Sequence, residues 1–178
     1  MIPPTPDPTP ALRCGLAVFP IPPGHKHPAP GWREAITTDR AGLHAWPTGA
    51  NVGVACRASR IVGLDLDTRL GEPNGLATLE WLAQRHGQPW PDTLTVATPS
   101  GGWHLYFRAP ESGTFLSSST RLPGIDVRAP DRRTGGYLVG PSSVVRGARY
   151  TIVRDVSVAC LPPWLARLLD ASRSLRLA

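Results

Sequence analysis

Three shortages in the 178-residue sequence narrow its class before any motif is considered. No apolar run approaches the roughly 20 residues that a membrane-crossing helix requires, so no membrane partner is expected. Cysteine occurs only as Cys14, Cys56 and Cys160, an odd number at wide spacing with no C-x-x-C pair. That excludes a disulfide framework and a zinc ribbon, and His25 and His27 beside Cys14 match no zinc spacing either. Met1 to Pro10 lacks a basic segment followed by an apolar one, so no secretory signal is expected and the expected compartment is cytoplasmic. No fixed-period repeat is visible.

Lysine is nearly missing as well: Lys26 is the only one. Arginine nevertheless carries Lys+Arg to 19 against 13 Asp+Glu, a formal charge of +6. A basic domain suits a polyanionic partner, nucleic acid first. The arginines are spread along the chain, with only Arg132 and Arg133 adjacent, so the same total also fits a dispersed basic surface. With 41% hydrophobic residues, the length can bury one domain core.

Five prolines mark residues 1–10 as an extended leader, so the domain is expected over 11–170, with a tail at 171–178. Cys14 to Phe19 reads as a first strand. Thr38-Asp39 reads as the cap of a short helix containing Ala41, Leu43, Ala45 and Trp46. Val52 to Ala55 and Arg60 to Leu66 read as adjacent strands. From Gly75 to His86, Leu76, Leu79, Leu82 and Ala83 recur at helical spacing, and Gly87 is placed to end that helix. Leu94 to Ala97, Trp103 to Arg108, Gly124 to Arg128, Gly136 to Val139 and Tyr150 to Val153 read as further strands. Pro162-Pro163 opens a last helix with Trp164, Leu165, Leu168 and Leu169 on its apolar face. Strands outnumber helices and few long crossovers are available. The class is therefore α+β, a mostly antiparallel sheet covered by a few helices.

The sharpest chemical feature is Val62-Gly63-Leu64-Asp65-Leu66-Asp67. On a strand, positions two apart share a face, so Asp65 and Asp67 point together while Leu64 and Leu66 enter the core. Two carboxylates held this close repel unless a cation sits between them, and Mg2+ or Mn2+ suits carboxylate and water oxygens. The pair also fits a strand end whose two solvated aspartates open a turn. Next, Thr98-Pro99-Ser100-Gly101-Gly102 runs directly into Trp103 to Phe107. Glycine backbone donors and the Ser100 hydroxyl can approach an oxyanion, and His104, Tyr106 and Arg108 share one face of the strand. That combination suits a triphosphate, or equally a tight turn feeding a half-buried strand with His104 at its surface. Finally, Gly124-Ile125-Asp126-Val127-Arg128 puts a third carboxylate and a cation on one face, which is also the pattern of a local ion pair.

Taken in order, these motifs resemble the bifunctional primase–polymerase (Prim-Pol) domain of the archaeo-eukaryotic primase superfamily. The resemblance covers nearly all of residues 14–169. It includes Val18-Phe19-Pro20, Gly24-His25-Lys26-His27-Pro28, Gly31-Trp32, Ala35 to Asp39, Trp46 and Asn51-Val52-Gly53. The Asp65/Asp67 pair, Thr98 to Phe107, Gly124 to Arg128 and Pro141-Ser142-Ser143 complete it. It implies an RRM-like catalytic sheet packed against an N-terminal α/β unit. It further implies metal ligation by Asp65, Asp67 and Asp126, with His104 on the incoming nucleotide's phosphates. Ser100, Gly101 and Gly102 would line that pocket, and Lys26, Asn51, Arg128 and Ser142 would contact nucleotide or template.

The implied activity is template-dependent nucleotidyl transfer with two Mg2+ or Mn2+ ions, acting on a template, a primer and nucleoside triphosphates. The chain departs from the family in its shortened or replaced N-terminal helix, in a loop enlarged by Asp131-Arg132-Arg133, and in lacking a zinc-binding insertion. No helicase or accessory helical domain follows, so such a partner is expected as a separate chain. Two other readings stand beside this one. The first is a catalytically silent nucleic-acid-binding module on the same fold. The second is a rolling-circle nicking nuclease using His25 and His27, which requires those histidines on an apolar strand and a tyrosine on a nearby helix.

Overall fold

Two sheets, not one, organise the chain in the computed structural model, which describes residues 5–131 and 135–170. Arg132, Arg133 and the 171–178 tail lie outside the described residues. In chain order the elements begin with α1 (Thr9–Arg13), β1 (Val18–Ile21), a 3-10 turn (Ala41–Ala45), β2 (Asn51–Ala55), α2 (Cys56–Ser59) and β3 (Ile61–Leu66). Next come α3 (Gly75–Arg85), β4 (Thr95–Ala97), β5 (Trp103–Arg108), β6 (Ser118–Leu122), β7 (Ile125–Arg128) and β8 (Tyr137–Val139). The chain closes with β9 (Val144–Val145), β10 (Ala148–Arg149), β11 (Thr151–Arg154), β12 (Ala159–Cys160) and α4 (Pro163–Leu169).

The larger sheet has the order β11-β4-β5-β3-β7-β6, with β12 running parallel beside the far end of β5. Its centre, β4-β5-β3-β7 with α3 between β3 and β4, is an RRM-like arrangement in which β3 and β5 are the inner strands. No helix lies between β5 and β7 among the described residues; α4 joins α3 on that face instead. The smaller sheet, β1-β2-β8, is wholly antiparallel, and β9 and β10 form a separate hairpin. The α/β unit is therefore N-terminal in only two of its strands. Its third, β8, returns from beyond the larger sheet.

Alternation along β3 divides the molecule into two cores. Val62, Leu64 and Leu66 pack with Leu105 and Phe107 of β5, Leu79 and Leu82 of α3, and Trp164 and Leu165 of α4. Ile61 faces the other way, into a core shared with Tyr106, Val96, Phe19, Val54 and Leu138. Each side chain removed from water in this manner contributes roughly 1.5–3 kcal/mol before entropy is counted. No helix among the described residues is long and apolar enough to cross a membrane.

Several local readings shift for identifiable reasons. The first strand begins at Val18 because Thr9 to Arg13 turn helical, with Pro10 in the first turn where its missing N–H costs nothing. Asp7 is tied down too: its N–H donates to Ser142 Oγ at 2.6 Å, and the Ser142 hydroxyl donates back to Asp7 O at 2.5 Å. β2 and β3 do not pair. The four-residue α2, and Arg60 at φ 50, carry the chain from one sheet to the other. Asp39 Oδ1 accepts the Gly42 N–H, and the turn after it is 3-10 rather than α. For α3, Asn74 caps the N-terminus by accepting from Ala77 N–H, and Gly87 at φ 61 follows its end.

Two glycines fix how α3 enters the sheet. A Cβ on Gly75 would stand 2.2 Å from Gly124 O, and one on Gly124 would stand 2.4 Å from Pro73 O. The clashing atoms are backbone and cannot swing aside. Gly75→Ala is expected to destabilise the fold by about 1–3 kcal/mol, the usual range for forced overpacking, read from urea denaturation. Wild-type stability in that variant would contradict the tight approach.

The cysteines supply a second check. Cys56 is fully buried, and burial pushes its thiol up to about 12, with only a small opposing pull from Arg128. Cys160 is exposed. A disulfide reagent at pH 8 should label Cys160 in the native protein and reach Cys56 only after unfolding. Rapid labelling of Cys56 in native buffer would show that this core opens freely.

Candidate active site

The site is built by strand register. On β3, Asp65 lies directly opposite His104 of β5 on one side and Asp126 of β7 on the other. Residues opposite one another across antiparallel strands project to the same face, so Asp126, Asp65 and His104 form one row. The next row is Arg128, Gly63 and Tyr106. Asp67 sits just past the end of β3, its N–H bonded to Gly124 O at 2.9 Å and its carbonyl accepting the Gly75 N–H at 2.7 Å. The close glycine contacts at the start of α3 therefore also fix the backbone of the second acid.

Gly63 couples the two sheets. A Cβ there would fall 2.2 Å from Leu138 Cδ1, so a bare backbone lets Leu138 of β8 settle on β3. That seating brings the neighbouring Val139 carbonyl to His104, whose Nδ1–H donates to it at 3.1 Å. His104 Nε2 points to Asp65 Oδ1 at 3.2 Å, and only 3% of the His104 residue is exposed. The side chain is thus buried and locked, not at the surface. Tyr150 packs against the ring at 5.5 Å.

Every candidate acid already faces a basic side chain. Asp65 faces His104, Asp126 faces Arg128 at 2.7 Å, and Asp67 faces Arg69 at 3.5 Å. Burial raises the Asp65 pKa, but the charge and hydrogen bond of His104, with help from Arg128 and Lys26, outweigh it and hold the carboxyl below its ordinary value. Asp67 goes the other way. Burial and the Asp65 charge raise it, Arg69 opposes them, and Asp126 and Glu72 add further repulsion. The three acids thus share one electrostatic field.

A cavity of about 410 Å3 opens beside this row, lined by Lys26, His27, Asp65, His104, Arg128, Tyr137 and Tyr150 among others. A second cleft of about 640 Å3 contains His25, Arg69, Ser100 and Arg146 and shares Lys26 and His27 as a wall. The lone lysine therefore stands between two basic hollows.

The remaining expected contacts are distributed unevenly. Ser100 reaches the second cleft, its hydroxyl 3.0 Å from Thr98 Oγ1. Gly101 and Gly102 line neither hollow. Gly101 supplies a turn at φ 89, and a Cβ on Gly102 would meet Leu66 O at 2.1 Å. Asn51 and Ser142 are structural where the structure places them. Asn51 is buried, donating to His25 O and Val144 O and accepting from Val144 N–H, so its amide joins the Lys26 loop to the β9–β10 hairpin. The Ser142 hydroxyl is committed to Asp7. Tyr137 and Tyr150 join the site with no local mark in the sequence, whereas His27 and Arg69 enter beside Lys26 and Asp67, two of the expected residues.

Among the described residues, no three carboxylate, imidazole or thiolate groups converge on one point to hold a metal ion. The donor set still suits hard divalent cations: three carboxylates share one field, two of them in register on neighbouring strands. As placed, each acid instead turns toward its own basic side chain.

No individual curated protein matches the chain. The family model for the N-terminal domain of bifunctional DNA primase/polymerase (Prim-Pol) matches residues 9–164, from α1 into α4 and across both sheets. With the acid-bearing strands, the His104 strand and the packing of β8 all inside that span, the chain belongs to the Prim-Pol family.

Proposed function

We propose that this chain catalyses template-directed nucleotidyl transfer, in which a primer 3′-hydroxyl or an initiating nucleotide attacks the α-phosphate of a nucleoside triphosphate. The observation that carries the reading is the Asp126–Asp65–His104 row across β7, β3 and β5, standing beside a cavity walled by Lys26 and Arg128. Asp65, Asp67 and Asp126 would hold Mg2+ or Mn2+. The chemistry those ions supply when bound is a more acidic attacking hydroxyl and neutralised charge on the departing pyrophosphate.

The chain's own residues do the rest. His104, its Nδ1 held by Val139 O, keeps Nε2 aimed at Asp65 along the cavity wall, where it can donate to a phosphate oxygen. Lys26 and Arg128 bring positive charge to the polyphosphate, and Ser100 offers a hydroxyl from the neighbouring cleft. The template backbone meets the net positive surface, a contact that weakens with salt. Asn51 would act by holding the Lys26 loop, and Ser142 through its N–H on the carbonyl of Tyr150 in the cavity wall.

One observation favours a second reading, a silent nucleic-acid-binding module. Since Arg69 and Arg128 stand against Asp67 and Asp126, the acidic face does not repel a phosphate backbone outright. The nicking-nuclease reading fails its own requirements. His25 and His27 lie in a loop, and no helix among the described residues carries a tyrosine.

Incubation with template, labelled triphosphates and Mn2+, with and without primer, separates the two. Incorporation is expected for the wild type. Asp65→Asn or Asp67→Asn should lower it by about 10²–10³-fold, the scale seen when one stabilising group is removed from an active site. Circular dichroism and the thermal midpoint should stay near wild type. Near-normal incorporation in either variant contradicts the acid assignment; template binding by the wild type without incorporation supports the module.

A further inference from the structure

We infer that Arg128 latches Asp126 against divalent cations until a polyphosphate enters the cavity and draws the guanidinium away, so that anion and metal binding are linked through this one ion pair. The inference rests on Asp126 being a metal ligand, as proposed above.

Of the three acid–cation contacts, Arg128 Nη2 to Asp126 Oδ2 is the shortest, at 2.7 Å against 3.2 Å for His104–Asp65 and 3.5 Å for Arg69–Asp67. Its side chains are 32% and 25% exposed, so solvent screens it less than the Arg69 pair, where Arg69 is 55% exposed. Arg128 lines the cavity and Asp126 does not, so the guanidinium is the member of the pair that a cavity ligand meets.

The three basic side chains also differ in freedom. His104 is pinned at Nδ1 by Val139 O, so its ring cannot swing away from Asp65 without breaking that bond. Arg69 is shared with Glu72 and faces the second cleft. Arg128 has a long stem and several donors beyond the one on Asp126. A metal ion and a guanidinium both on Asp126 repel each other, whereas an anion beside Lys26 offers Arg128 a replacement. Each ligand then lowers the cost of binding the other, and the coupling is reciprocal.

The test uses tripolyphosphate and Mn2+ separately, so that neither chelates the other. With EDTA present, calorimetric titration of tripolyphosphate should show about fivefold tighter binding to Asp126→Asn than to wild type, at the low end of coupling between sites. The gain should vanish in Asp126→Asn/Arg128→Gln, and Asp67→Asn should not reproduce it. Without anion, electron paramagnetic resonance should show Mn2+ binding Arg128→Gln about fivefold tighter than wild type, with Arg69→Gln changed less. A gain that persists without Arg128, or an equal gain in Asp67→Asn, would mean general electrostatics and overturn the latch. Mn2+ binding that Asp126→Asn weakens but Arg128→Gln leaves unaltered also overturns the latch alone. Mn2+ binding indifferent to Asp126→Asn sinks the metal assignment beneath it. Native circular dichroism qualifies each variant, and the Arg128→Gln and Asp126→Asn arms each stand alone if the double variant does not fold.

Discussion

Strand β3 is held in register between two antiparallel neighbours, and the candidate chemistry depends on that register. Asp65 is opposite His104 on one side and opposite Asp126 on the other. Because side chains alternate with period two, a slip of one residue in either pairing would turn its partner to the opposite face. The slip is resisted by the apolar residues between the acids. Leu64 and Leu66 are fully buried against α3 and α4, and a slip would take both out of that core and turn the acids into it. The core thus specifies the position of charged groups that contribute little to stability themselves.

The second constraint is close backbone approach at small residues. Gly63 admits Leu138, which brings the Val139 carbonyl to His104 and fixes the ring against Asp65. Gly75 and Gly124 allow the start of α3 to touch the start of β7, and both bond to the backbone of Asp67. In each case an absent side chain beside the site sets where a candidate site residue stands. The smaller sheet is therefore more than a cover: through β8 it supplies an acceptor inside the site.

Electrostatically, the face is balanced rather than acidic. His104, Arg128 and Arg69 each answer one carboxylate, and the imbalance that remains is uneven, lowering Asp65 and raising Asp67. Such a surface can exchange partners among its own charges when a ligand of either sign arrives. An unpaired acid cluster would bind cations but repel an anion placed beside them.

The sequence by itself determined the α+β class, the helix from Gly75 and the strands carrying Asp65, His104 and Asp126. Period two and period 3.6 are local properties, so these elements are legible wherever apolar residues recur cleanly. The sequence could not show that β2 and β3 part into different sheets, that β8 returns to complete the N-terminal unit, or that His104 is buried. Nor could it show that Asn51 and Ser142 bond to the backbone, or that Tyr150 reaches the site. Those facts depend on contacts between segments far apart in the chain, and no local pattern encodes which distant carbonyl a side chain will meet. Tertiary structure decided them, through packing at Gly63 and Gly75 and through the registry of β3 with its two neighbours.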